Sequence, residues 1–169
     1  MNILYLHGLN SSLSPEKQLI LERYGKVLSP AIAYEKNPKS ILWLYNHYKD
    51  SEIDVLIGSS MGGFAGFHLS KILKVPALLF NPALAYRSVF QNIPDTPEIN
   101  GTCINIVLGA KDDVVDTKST LKFLGDSLMQ AQNYSIQIRH DLEHRIPVDV
   151  FDEEVARFMR EPTNTENDA

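Results

Sequence analysis

The chain has 169 residues, of which 44% are hydrophobic and 22% charged, a composition typical of a single globular domain. Its 16 basic residues are scattered among 21 acidic ones, and the net charge of −5 disfavours nucleic acid and anionic membrane surfaces as partners. The single cysteine, Cys103, excludes an internal disulfide, and no Cys/His spacing resembles a zinc site, so we expect neither a metal nor a cofactor. The N-terminus has no basic stretch typical of a secretion signal, and no apolar run approaches the roughly 18 residues that span a membrane. We therefore expect a cytoplasmic protein that does not insert into a membrane. The sequence leaves the oligomeric state undetermined.

Short apolar runs alternate with helical patterns, which predicts an α/β fold with a mainly parallel sheet and helices on both faces. Six strands are predicted, at 3–7, 27–29, 53–57, 77–80, 103–108 and 134–138. Five helices are predicted, at 15–24, 38–48, 61–73, 117–129 and 147–159, with Pro15, Pro38 and Pro147 in their first turns. We expect one domain over 1–160, with a possible short lid at 81–101 and a disordered polar tail at 161–169. Phe80, Leu84, Tyr86 and Phe90 suggest an apolar pocket under that lid, and the alternative is that they belong to the ordinary core.

The third predicted strand runs into Gly58-Ser59-Ser60-Met61-Gly62, and a helix is predicted directly after it. Gly-x-Ser-x-Gly between a strand and a helix is the pattern of a nucleophile elbow, whose tight turn exposes the central serine. Both glycines are needed because neighbouring backbone comes too close for a Cβ. The alternative is a serine that only caps the helix. The motif makes Ser60, rather than Ser59, the candidate nucleophile.

A nucleophilic serine requires a carboxylate that orients its histidine, and in this architecture the carboxylate follows the serine in the chain. Asp112 comes just after the predicted strand at 103–108, so it lies at the sheet edge where Ser60 emerges. Asp113 is the second candidate. Asp116 is better explained as the N-cap of the helix that begins near Thr117. The sequence therefore favours Asp112 as the acid.

The histidine of such a triad follows the last strand, where the chain carries two candidates, His140 and His144. His144 is favoured because it ends the loop directly before the final helix. His7 precedes the serine in the chain, so we expect it to brace its own loop rather than act as the base.

An oxyanion hole in this architecture takes one backbone N–H from the residue after the nucleophile and one from a loop after an earlier strand. Met61 follows Ser60 directly. The earlier loop begins at Gly8, whose freedom lets amides turn toward the site, and Leu9 is the predicted second donor.

These residues give the chain a family resemblance: it resembles the α/β-hydrolase superfamily, and within it the small YqiA-like (UPF0227-type) esterase branch. The likeness covers nearly the whole sequence and rests on Tyr5-Leu6-His7-Gly8 with Asn10-Ser11-Ser12 and Ser14-Pro15, on Gly58 to Gly63, on Asn81-Pro82-Ala83, and on Gly109-x-x-Asp112. The chain lacks the opening antiparallel strands of full-size members, as expected for this branch, which leaves a compact six-stranded sheet.

The resemblance and the motifs together lead us to expect a serine hydrolase that cleaves small-molecule carboxylic esters or thioesters. Ser60, His144 and Asp112 would form the catalytic triad, with Leu9 and Met61 in the oxyanion hole. Two alternatives stay open: an amidase or peptidase with the same triad, and a non-catalytic binding module on the same fold.

Overall fold

A computed structural model describes residues 1–95, 102–126 and 133–160 of the chain. Its six strands are β1 (Asn2–Leu6), β2 (Lys26–Leu28), β3 (Val55–Ser59), β4 (Ala77–Phe80), β5 (Cys103–Gly109) and β6 (Asn133–Arg139). Its five helices are α1 (Pro15–Glu22), α2 (Ser40–Tyr48), α3 (Met61–Leu73), α4 (Thr117–Asp126) and α5 (Val148–Phe158). All predicted elements are therefore found. The last part of the predicted lid, the end of the predicted fourth helix and the predicted polar tail lie outside the described residues.

All six strands pair in parallel, in the order β2-β1-β3-β4-β5-β6. The mainly parallel sheet predicted from the sequence is confirmed. The order reverses direction between β1 and β3, and in open α/β sheets ligands bind outside the carboxyl ends of the strands at such a point. The loops after β1 and β3 therefore lie at the expected position of a site.

Helices cover both faces of the sheet, as predicted. On one face, apolar residues of α1 and α5 pack on alternate strand residues: Ile20, Leu21, Phe151 and Val155 against Ile3, Tyr5, Ile57 and Phe80. On the other face, α2, α3 and α4 do the same: Ile41, Leu44, Phe64, Leu69 and Leu124 against Leu4, Leu6, Leu56, Leu79 and Ile106. Because strand side chains alternate between faces, each central strand contributes to both cores and is buried.

Some predicted boundaries were wrong, for local reasons. The first strand ends at Leu6 rather than residue 7. The third strand continues to Ser59 because Gly58 and Ser59 still pair with Leu79 and Phe80 of β4. Glycine in the motif is thus part of the strand as well as of the turn.

The second helix begins at Ser40 rather than at Pro38, so Pro38 is not a first-turn proline. The Asn37 side chain accepts a hydrogen bond from Lys39 N–H at 2.9 Å, and Ser40 Oγ donates to Asn37 O at 2.7 Å. Such side-chain bonds favour a turn over a helix. They hold the segment before α2 in a turn.

Among the described residues, the longest helix is α3, and none of the helices combines the length and the hydropathy needed to cross a membrane.

Candidate active site

A cavity of about 630 Å³ opens at the carboxyl edge of the sheet. Four of the five site residues predicted from the sequence line it: Leu9, Ser60, Met61 and His144. The fifth, Asp112, contacts His144 and has a fully buried side chain. The loops after β1, β3, β5 and β6 thus bring all five together, because parallel strands end at one edge.

Ser60 occupies the sharp turn between β3 and α3. Its backbone angles are φ 54° and ψ −116°, which a non-glycine residue adopts only under strain. The turn is held by a hydrogen bond from Ser60 N–H to Phe80 O at 3.0 Å and by one from Phe64 N–H to Ser60 O at 2.9 Å. Although Ser60 is at the N-cap position of α3, its side chain makes no capping hydrogen bond. The hydroxyl of this cavity residue is therefore not used as a helix cap.

The two glycines of the motif are required by close backbone approach. A Cβ at Gly58 would lie 2.8 Å from the carbonyl carbon of Gly62. A Cβ at Gly62 would lie 2.6 Å from His7 O. Both distances are too short for ordinary contacts, so any larger residue would force the turn open.

His144 and Asp112 form a hydrogen-bonded pair. His144 Nδ1 lies 3.0 Å and 2.9 Å from the two carboxylate oxygens of Asp112. Asp112 Oδ1 also accepts backbone hydrogen bonds from Val114 at 2.9 Å and Val115 at 2.8 Å, which fix the carboxylate. With Nδ1 donating to the carboxylate, Nε2 is the imidazole nitrogen with a free lone pair. The imidazole is 22% exposed and the carboxylate 0% exposed, so the pair has one open side, at His144.

The competing candidates lie elsewhere. Asp113 and His140 are exposed and do not line the cavity. Asp116 caps α4, as predicted: its Oδ2 accepts from Ser119 N–H at 2.9 Å and from Ser119 Oγ at 2.6 Å, and these hydrogen bonds hold the Asp116 pKa below its usual range. The structure therefore pairs Asp112 with His144 and separates both from the alternatives.

The loop after β1 lies directly against Ser60. A Cβ at Gly8 would be 3.4 Å from Ser60 Cβ and 3.9 Å from its Oγ. Within the described parts of the chain, the backbone amides of Leu9 and Met61 have no hydrogen-bond acceptor. Leu9 and Met61 line the same cavity as Ser60, and two free N–H groups near a serine are what an oxyanion hole requires.

His7 braces this loop, as predicted. Its Nδ1 donates to Gly8 O at 2.7 Å, and its Nε2 accepts from Ile32 N–H at 2.9 Å. The side chain is buried, and Tyr34 OH donates to His7 O at 3.1 Å. Both ring nitrogens are used inside the fold, so His7 has none left for a substrate.

Asn81, which follows β4, is a residue to which the sequence assigned no role. Its fully buried side chain accepts from Gly109 N–H at 2.7 Å and donates to Glu143 O at 2.9 Å and to His144 O at 3.3 Å. It thereby ties the end of β5, from which the Asp112 loop leaves, to the loop that carries His144. The backbone of Asn81 has a positive φ of 42°, which places the side chain between these two segments. Asn tolerates this conformation better than most residues. Its position after a predicted strand and its place in the Asn81-Pro82-Ala83 motif were the signals in the sequence.

Residues 85–90 form an arch between two anchors rather than an open flap. Asn81 to Leu84 are buried, and Gln91 is 1% exposed. The Gln91 side chain accepts from Ser40 N–H at 3.2 Å and donates to Tyr34 O at 2.9 Å and to Asn37 O at 3.2 Å. The suggested apolar pocket under a lid is therefore wrong for Phe80 and Leu84, which belong to the core, while Tyr86 lines the cavity and Phe90 is exposed.

Several solved structures share this fold. SOBER1 from Arabidopsis thaliana superposes with a TM-score of 0.64 at 15% identity, covering 95% of this chain and 99% of that one. Est1E from Butyrivibrio proteoclasticus has a TM-score of 0.63 at 14% identity, over 94% of this chain and 86% of that one. A Bacillus cereus carboxylesterase has a TM-score of 0.60 at 15% identity, over 93% of this chain and 86% of that one. The compact α/β-hydrolase fold predicted from the sequence is confirmed.

No curated protein is similar enough in sequence to count as a match. A family model described as "Uncharacterised protein family (UPF0227)" matches residues 2–123, which span β1 to most of α4 and include Ser60 and Asp112. The chain therefore belongs to the UPF0227 family, on an α/β-hydrolase fold, as its motifs predicted.

Proposed function

We propose that the protein is a serine hydrolase that cleaves small-molecule carboxylic esters or thioesters through an acyl-enzyme intermediate. The observation that carries the proposal is one cavity that holds a strained, uncapped Ser60 together with a His144 whose Nδ1 is bound to a buried Asp112. Acyl transfer needs a serine, a histidine whose Nε2 can accept a proton, and a carboxylate.

In the first half-reaction, Ser60 Oγ attacks the acyl carbonyl while His144 Nε2 takes the hydroxyl proton. The carbonyl oxygen becomes an oxyanion, and the amides of Leu9 and Met61 donate hydrogen bonds to it. Asp112 stabilises the imidazolium, which then gives its proton to the leaving alcohol or thiol. The result is an acyl ester on Ser60.

In the second half-reaction, His144 takes a proton from water, and the resulting hydroxide attacks the acyl-enzyme at the same carbonyl. The oxyanion forms again in the same place. Its collapse breaks the bond to Ser60 Oγ, which recovers the proton from His144, and the carboxylic acid leaves. Besides the substrate and one water molecule, both half-reactions use groups of this chain.

The structural neighbours support a hydrolase of this kind. One is a carboxylesterase, and ferulic acid binds to Est1E. An amidase would use the same catalytic groups on an amide substrate. The unbonded backbone N–H groups of Leu9 and Met61 favour a catalytic site over a non-catalytic binding module.

The proposal is tested by hydrolysis of p-nitrophenyl acetate, its thioester analogue and the matching anilide. Ser60→Ala should lower kcat by about 10⁴ or more, because the nucleophile is lost. Ser59→Ala is the matched control, because it removes the neighbouring hydroxyl group and leaves the nucleophile position of the elbow unchanged. Its kcat should stay within about tenfold of the parent. Equal loss in both variants would contradict Ser60 as nucleophile. Faster turnover of the anilide than of the esters would assign an amidase instead.

A further inference from the structure

Three lysine and arginine side chains of the described part of the chain line the cavity. These are Lys17 of α1, Arg87 of the 85–90 arch and Arg145, which follows His144. No Asp or Glu among the described residues lines it, although the chain as a whole is acidic. The cavity is therefore electropositive in a protein of net charge −5.

Among the described residues, Lys17, Arg87 and Arg145 form no ion pair with a carboxylate. Within residues 1–95, 102–126 and 133–160, ion pairs of arginine involve Arg23, Arg139 and Arg157 only. Those pairs lie on the surface or between β6 and α5, away from the cavity. The basic groups of the cavity are thus left for something that enters it.

Arg87 is the best prepared of the three. Its guanidinium carbon lies 4.2 Å from the centre of the Phe64 ring, and this stacking holds the planar group on α3. Its Nε is buried and has no acceptor in the described chain. Burial lowers the pKa of Arg87 from its ordinary value. Because Nε is buried, the guanidinium would meet a ligand through its two Nη groups, which can bind a carboxylate or phosphate through two parallel hydrogen bonds.

Lys17 adds a second partly desolvated charge. Its ammonium lies 5.2 Å from the centre of the Phe151 ring, and burial lowers its pKa. Around it, Ser12 and Ser14 bring hydroxyl groups to the cavity wall. These hydroxyl and ammonium groups supply hydrogen-bond donors for an anion that has several oxygen atoms.

We propose that the substrate is an anionic ester, whose carboxylate or phosphate group binds the basic side chains of this cavity, with Arg87 as the main contact. The proposal rests on the proposed function of the same site and specifies its substrate class. The anion can stand on the acyl part or on the leaving group, and the cavity holds both parts during the reaction.

The test compares three esters of similar size. They are the neutral p-nitrophenyl butyrate, the p-nitrophenyl hemisuccinate, which has a carboxylate on its acyl part, and the butyrate ester of a phosphorylated phenol, which has a phosphate on its leaving group. At least one anionic ester should have a kcat/KM about tenfold or more above the neutral ester, with the preference falling as salt is added. R87Q should reduce that ratio about ten- to a hundredfold, because a hydrogen-bonded charge pair is lost. K17Q and R145Q should reduce it less.

R160Q is the matched control. It makes the same change of charge at an exposed arginine of the described chain that does not line the cavity, and the ratio should stay within about twofold. A preference for the hemisuccinate alone places the anion on the acyl side, and one for the phosphorylated phenol alone places it on the leaving group. Equal kcat/KM for all three esters, or an R87Q ratio equal to that of R160Q, overturns the proposal.

Failure of the catalytic proposal is distinguishable from failure of this one. Binding of the preferred anionic ester to S60A, measured by calorimetry, does not require turnover. Weaker binding to S60A/R87Q than to S60A/R160Q supports the anion site even if Ser60 is not the nucleophile. Equal binding to the two double variants overturns it.

Discussion

Asn81→Ala tests how the loops that carry Asp112 and His144 are held. The variant removes a fully buried amide and leaves Gly109 N–H and Glu143 O without the partners that lie 2.7 Å and 2.9 Å away. Each buried polar group left unpaired costs about 1–3 kcal/mol, so the two together cost about 2–6 kcal/mol. The third bond, to His144 O at 3.3 Å, is long and adds less.

Asn10→Ala is the matched control for this prediction. Asn10 has a positive φ of 51°, close to the 42° of Asn81, so alanine suffers a similar backbone penalty at both positions. Its side chain is exposed and makes one hydrogen bond, to Glu35 at 3.2 Å. An exposed bond of this kind contributes about 1 kcal/mol or less. The difference between the variants therefore isolates the buried amide.

Urea denaturation measures the free energies of unfolding of both variants. The slope m should be the same in the two variants. We expect Asn81→Ala to be less stable than Asn10→Ala by about 1–6 kcal/mol, the difference between the two costs. Its kcat should also fall more than its KM changes, because His144 loses its anchor. Equal loss of stability in the two variants would refute the claim that Asn81 joins the loops.

Three further predictions concern other parts of the structure. Asp112→Asn should lower kcat by about 10³–10⁴, because the amide stabilises neither the required imidazole tautomer nor its charged form, and Asp113→Asn should not; equal kcat values would contradict the assignment. Gln91→Ala should leave Ser40 N–H and Tyr34 O unpartnered, lower stability by about 2–6 kcal/mol and speed amide hydrogen exchange in the 85–90 arch; unchanged exchange would show that the arch is held otherwise. Burial lowers the pKa of His68 to about 3, with further lowering by Lys71 and Arg87, so below pH 6.5 the unfolded chain takes up a proton that the native protein does not. Stability should fall by about 1.4 kcal/mol per pH unit from this group as pH drops from 6.5 toward 3, and His68→Leu should flatten that slope; an unchanged slope in urea midpoints would contradict a neutral, buried imidazole.

The sequence was sufficient for the fold and for the placement of the predicted site residues. Apolar runs of strand length between helical patterns predict a parallel sheet, and parallel strands end at one edge. Ser60, Asp112 and His144 each follow such a run, so their convergence could be predicted without any knowledge of side-chain contacts. The choice of His144 over His140 rested on its position at the end of the loop, directly before the final helix.

The supporting residues could not be predicted in this way. Asn81 contacts Gly109 and Glu143, which are 28 and 62 positions away in the chain. Gln91 reaches Tyr34 across 57 positions. Periodicity reports which face of an element is buried, but it carries no information on which distant backbone group a buried amide will meet. The same holds for Arg87 and Phe64, whose stacking depends on how the arch crosses α3.

The most direct test of the central claim is covalent labelling of the native protein with a fluorophosphonate, followed by peptide mass spectrometry. An activated serine forms a stable phosphonyl adduct, whereas a serine without a positioned base does not. We predict a single adduct on Ser60, blocked by an ester substrate, abolished in Ser60→Ala and strongly slowed when His144 is replaced by Ala. Absence of an adduct, or an adduct on Ser59 instead, would contradict the account.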